Sequence, residues 1–219
     1  MIPTQTLSDL AVTHPAASSV FYSHGLDFCC NGRRPLIEAC REKQLDPDAI
    51  LTEIAERDAA VADGRNWADA PLGDLIDHIA GYYHARHRID LPEMVAMAAK
   101  VEQVHADKDS CPRGLHAHLA SIYGAVLDHL DKEEGILFPL ISSGRGSHAS
   151  GPVACMEHEH VEHGANLAII RTLTNNLTPP PEACTTWQAL YTRLGAFEAE
   201  LMEHIHLENN ILFPRALAE

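Results

Sequence analysis

From residue 76 onward, apolar residues recur at steps of three and four, the period by which one face of a helix is buried. Ile76, Ala80, His84, His87 and Leu91 form one stripe, and Leu115, Leu119, Ile122, Val126, His129, Glu133 and Ile136 a second. Val153, Met156, His160, His163, Leu167 and Ile170 make a third, and Leu190, Leu194, Phe197, Leu201, His204, Glu208 and Ile211 a fourth. The stripes predict helices over 72–90, with a continuation or a short helix at 92–106, and over 113–142, 152–174 and 186–215. Gly144, Gly146 and Gly151 separate the second from the third. Pro179, Pro180 and Pro181 separate the third from the fourth, because no helix interior accepts such a run. Pro139 and Pro214 should kink or end their helices.

Residues 1–57 read as a small helical module. Short helices are expected at 7–12, at 15–24 with Gly25 as its stop, at 35–43, and at 47–57 with Asp46 as N-cap. The Ala- and Asp-rich stretch 58–70 reads as a linker, leaving 71–219 for the long helices. The expected fold is all-α, a four-helix bundle behind a small N-terminal helical domain.

Polar residues interrupt the stripes at their core positions, and they do so in duplicate. Residues 129–139 and 204–214 share His-x3-Glu-x2-Ile-Leu-Phe-Pro, and His84-x2-His87 reappears as His160-x2-His163. A His and a Glu four apart lie one turn apart on one helix face. A lone His in an apolar stripe is ordinarily a core residue with a hydrogen-bond partner. Two buried carboxylates are a different matter, since burial and mutual repulsion both oppose their ionisation. A pair of divalent cations between Glu133 and Glu208 removes that cost, with imidazoles completing the shell, as in other bundle-core dinuclear sites. Imidazole and carboxylate without thiolate suit iron, manganese or zinc. By spacing alone, either His84 or His87, and either His160 or His163, serves as ligand. His158 and His206 fall off the seam and should face solvent.

The formal net charge of −15 argues against a nucleic-acid partner, which requires a concentrated basic surface. No apolar run approaches the roughly 18 residues of a membrane span, and no signal-like segment opens the chain. The six cysteines are dispersed, which suits a reducing cytoplasmic setting. Cys29 and Cys30 are adjacent, between Asp27-Phe28 and Asn31-Gly32. Exposed in a loop, such a pair could take nitrosyl groups, pass electrons or bind a metal transiently; otherwise both are small packing residues. Cys40, Cys111, Cys155 and Cys184 show no ligand spacing and read as structural.

Essentially the whole chain resembles the repair-of-iron-centres (RIC) family of di-iron proteins, the YtfE/ScdA/DnrN type. The Asp-Phe-Cys-Cys-x-Gly segment is similar to that family's small Cys-Cys domain, and the remainder to its hemerythrin-like bundle. The strings 101–108, 174–187 and 207–217 carry the likeness beyond the bare His-x3-Glu. The resemblance implies His84, His129, His160 and His204 as ligands of two iron ions, Glu133 and Glu208 as bridging carboxylates, and an oxo or hydroxo bridge. It implies Cys29 and Cys30 as working thiols, and damaged iron–sulfur proteins as partners, under nitrosative or oxidative stress. Iron donation is favoured over conventional turnover. Reversible binding of oxygen or nitric oxide, or nitric oxide reduction, is the alternative. A homodimer is compatible with the sequence.

Overall fold

The structure, a computed structural model, describes residues 4–60 and 66–218. Among the described residues there are eight helices and no strand beyond an isolated bridge between Thr6 and Pro35. Four short ones come first: α1 (Leu7–Thr13), α2 (Ala17–Ser23), α3 (Leu36–Lys43) and α4 (Pro47–Ala60). Thr6 opens α1 with a reciprocal cap, accepting from the Asp9 amide at 3.1 Å while Asp9 accepts from the Thr6 amide at 3.2 Å. Asp46 accepts from the Asp48 amide at 3.0 Å, as its N-cap position requires. Helix α4 runs into the stretch expected to be linker, and residues 61–65 of that stretch lie outside the described residues.

Four long helices follow. α5 occupies 72–104 and is built of Leu72–His78, a π-helical segment Ile79–His84, and Ala85–Val104. α6 occupies 115–142 and comprises Leu115–Lys132, the π segment Glu133–Leu137, and Phe138–Ser142. α7 is Ser150–Leu173, and α8, over 185–217, comprises Thr185–Leu207, the π segment Glu208–Leu212, and Phe213–Leu217. α5 packs against α6 and α8, and α7 closes the ring against the same two. The stripe residues fill the interior: Leu91, Leu115, Leu119, Leu190 and Ile122 are at most 2 % exposed.

Of the two forms expected for residues 92–106 the continuation holds, since α5 runs on through Pro92. Pro139 and Pro214 do not end α6 and α8. Each sits at the start of the helical stretch after a π segment, where the Phe138 amide bonds Glu133 O and the Phe213 amide bonds Glu208 O. The wider turn makes room for a ring that cannot donate, and the helix resumes. The inserted residue also shifts the stripe: Ile136 is 59 % exposed, while Leu137 and Phe138 are buried.

The N-terminal helices lie against the bundle rather than apart from it. α2 packs on α8, and α1 on the π segment of α8. Leu7, Phe21 and Phe28 share one apolar cluster with Leu194, Phe197 and Leu201. Between α6 and α7, Gly146 passes so close to the end of α8 that a Cβ would collide with Ala216 O.

Candidate metal centre

The six residues His84, His129, Glu133, His160, His204 and Glu208 converge in the bundle interior, each no more than 2 % exposed. They form two overlapping groups, His84–Glu133–His204–Glu208 and His129–Glu133–His160–Glu208, whose ligand atoms lie within 4.8 Å of one another. His84 Nε2 faces His204 Nε2 at 3.1 Å, and His129 Nε2 faces His160 Nε2 at 3.1 Å. Each carboxylate spans both imidazole pairs. Glu133 turns Oε1 to His129 and Oε2 to His84, each at 3.4 Å; Glu208 turns Oε1 to His204 and Oε2 to His160, each at 3.2 Å. His87 and His163 are buried nearby but lie outside both groups.

The outer nitrogens show what the inner ones present. His129 Nδ1 meets a Glu159 oxygen at 2.9 Å, His160 Nδ1 meets Asn209 Oδ1 at 2.8 Å, and His84 Nδ1 meets Glu134 Oε1 at 2.8 Å. An oxygen acceptor draws the proton to Nδ1 and leaves a lone pair on Nε2. His129 and His160 therefore aim two lone pairs at each other, which repel unless a cation lies between them. Two nitrogens each about 2.1 Å from one cation, at close to a right angle, stand about 3.0 Å apart.

The carboxylates give the same indication. All four oxygens of Glu133 and Glu208 are buried without a hydrogen-bond partner. Burial, and then the neighbouring Glu208 charge, push Glu133 well above the usual carboxylate range. Burial foremost, then His160, pushes His129 down to about 3, so its imidazole is neutral and free to coordinate. Although burial works against it, hydrogen bonds from Lys132 and His129 hold Glu159 at about 2. A neutral His129 imidazole, orphaned carboxylate oxygens and outer acceptors that fix three of the rings together fit a pair of cations.

Sulfur lies close to this centre. Cys30 Sγ is 3.4 Å from His160 O, and Cys29 Sγ is 3.7 Å from Cys30 Sγ. Asn209, whose oxygen holds the His160 ring, donates through Nδ2 to Cys29 O at 3.1 Å, and Asn210 donates to Phe28 O at 3.1 Å. One side chain thus joins an imidazole of the centre to the backbone of the cysteine loop. Of the other cysteines, Cys40 and Cys111 are buried, but Cys155 and Cys184 are exposed and do not pack a core.

Comparison with known proteins matches residues 76–216 to the Hemerythrin HHE cation binding domain, and residues 3–58 to ScdA_N, a domain of unknown function. The iron–sulfur cluster repair protein YtfE of Musicola paradisiaca is 50 % identical over 97 % of this chain and 96 % of its own length. The YtfE protein of Dickeya chrysanthemi is 49 % identical over the same shares, and that of an Escherichia coli strain 50 % over 98 % and 97 %. The chain belongs to the YtfE family.

Its hemerythrin-like bundle is suited to cation binding, and no helix among the described residues is long and apolar enough to cross a membrane. Within this YtfE-family fold, His158 is exposed as expected, but His206 is not: it is 2 % exposed. Its Nδ1 meets Asn210 Nδ2 at 2.9 Å and its ring lies edge-on to Phe28 at 5.5 Å. The stripes alone did not single out Glu134, Glu159 or Asn209. The duplication carried a signal for two of them, since Glu134 and Asn209 each follow a seam Glu, and each holds the first His of the preceding helix.

Proposed function

We propose that this chain repairs iron–sulfur clusters through a labile pair of iron ions held by His84, His129, Glu133, His160, His204 and Glu208. The supporting observation is the convergence of four imidazole Nε2 atoms on four carboxylate oxygens that have no other partner. The YtfE relatives carry the repair function in their name. When bound, the iron pair would supply redox-active cations open to a small ligand such as nitric oxide or oxygen, and iron that a depleted cluster can take.

The chain's own residues do the rest. Glu133 and Glu208 offset part of the cationic charge inside the bundle. Glu134, Glu159 and Asn209 keep three imidazoles in the tautomer that presents Nε2 inward. The loop with Cys29 and Cys30 stands at the mouth of the centre, where a damaged iron–sulfur protein can be reached.

Purified protein, incubated anaerobically with an iron-depleted cluster enzyme plus sulfide and reductant, should restore that enzyme's activity with no other iron source. Glu133→Leu should hold fewer than two iron ions per chain and restore little. Reversible oxygen or nitric oxide spectra without recovery of the client would favour a carrier instead.

A further inference from the structure

Among the described residues, a third group of metal-competent side chains lies outside the bundle core: Asp27, Cys29 and Cys30, with ligand atoms within 4.8 Å of one another. The two sulfurs are 3.7 Å apart, and Cys29 Sγ donates to Asp27 Oδ1 at 3.4 Å. The turn that gathers them is fixed. The Cys30 amide donates to Asp27 Oδ1 at 3.0 Å, and Asn31 Nδ2 to Asp27 Oδ2 at 2.6 Å. Gly32 closes the turn where a Cβ would stand 2.5 Å from Phe28 O.

On one side this group lines a cleft of about 620 Å³, together with Tyr22, Gly164 and Arg171. On the other it touches the backbone of His160 and is tied to that residue's ring through Asn209. It thus stands between the buried centre and solvent.

We propose that Asp27, Cys29 and Cys30 form a third cation site, a station that holds one divalent cation in transit between the buried pair and the cleft. Two sulfurs each about 2.3 Å from a tetrahedral cation stand about 3.8 Å apart, close to the separation present here. Asp27 supplies a third ligand, and the fourth position stays open for exchange. Thiolates make this site softer than the imidazole–carboxylate centre, and iron(II) is borderline enough to use both. Binding exchanges one divalent cation for two thiol protons, leaving a unit of net charge −1. The hydrogen bond with Cys30, then burial, then the charges of Cys30 and Asp27, raise the Cys29 thiol well above its usual range. At Cys29 proton competition weakens the hold, and the open fourth position leaves the cation exchangeable, which suits transit rather than storage. The assignment of iron as the cation in transit rests on the proposed function; the binding itself does not.

Cobalt(II) titration of the reduced full-length chain, in a Cys155→Ser/Cys184→Ser background, tests the station. The bundle centre has no thiolate, so a thiolate-to-cobalt charge-transfer band reports this site alone. We expect one cobalt per chain with that band and two protons released. The band should vanish in Cys30→Ser, and Asp27→Asn should weaken binding by about tenfold or more. No band, or a band unchanged in Cys30→Ser, overturns the proposal. Should Cys30→Ser fail to fold, Asp27→Asn decides, and unchanged affinity there overturns it. A thiolate band without cobalt in the bundle would sink the repair reading and leave the station standing.

Discussion

His206 shows how far one side chain's environment depends on a neighbour the helix period does not reveal. Its face of α8 is covered by α1 and the Phe28 loop, and it reaches the Ala11 backbone there. Burial pushes this imidazole down to about 4. In the unfolded chain it takes a proton near pH 6.5, in the folded protein only near 4. Its stabilising contribution is therefore complete above 6.5, falls as pH drops through that window, and is gone near 4. Metal-free protein should lose up to about 3 kcal/mol more between pH 7 and 4 than His206→Gln does, measured by urea unfolding. His129 and His163 titrate in both proteins and cancel in the comparison. An equal pH slope in the two would contradict the buried, neutral state of His206. Of the six converging residues, His129, Glu133, His204 and Glu208 could be read from the stripes, whereas spacing left His84 level with His87 and His160 level with His163. Each occupies a stripe position where an apolar residue is due, and burying a polar group there demands a reason.

At the scale of elements, the two halves of the bundle are built alike. Phe138 stacks on His84 at 5.5 Å and Phe213 on His160 at 6.0 Å; Glu134 and Asn209 hold the same two rings. All three π segments carry a residue of the centre: His84 ends one, and Glu133 and Glu208 begin the others. The duplication was plain in the sequence, but the π turns were not. Periodicity assumes a constant pitch, and only the displaced Ile136 betrays the extra residue. The symmetry fails at one place. Glu159, which fixes the His129 ring, has Tyr83 as its counterpart, and Tyr83 stacks on His204 at 5.6 Å without bonding it. His204 Nδ1 is buried and unpartnered, so nothing fixes its tautomer. The cation between His84 and His204 should therefore leave first, and a chelator should extract iron in two phases. Glu159→Ala should accelerate the slow phase by about tenfold or more, bringing the two together. Release in a single phase from the unaltered protein would contradict this asymmetry.

At the scale of the molecule, the N-terminal helices are fastened to the bundle mainly by amide clamps and apolar contacts, with the Cys30 thiol adding one hydrogen bond to His160 O. Asn209 and Asn210 grip the carbonyls of Cys29 and Phe28, while Leu7, Phe21 and Phe28 merge into the bundle's cluster. The Cys-Cys segment could be recognised in the sequence. Its seat beside His160 could not, because that depends on two amides 180 and 182 residues away along the chain. On the proposed function, this arrangement would separate holding the metal from handing it on. Replacing both thiols by serine removes neither amide clamp nor any of the six centre residues. It costs about 1–2 kcal/mol for placing a hydroxyl at buried Cys29. The Cys29→Ser/Cys30→Ser protein should therefore keep the two iron ions of the buried pair, by metal analysis after gel filtration. Its recovery of an iron-depleted cluster enzyme should fall by about tenfold or more, as when a group in the path of a metal is lost. Iron lost along with activity would mean that the thiols help to hold the pair, and full recovery would mean that they only fill space.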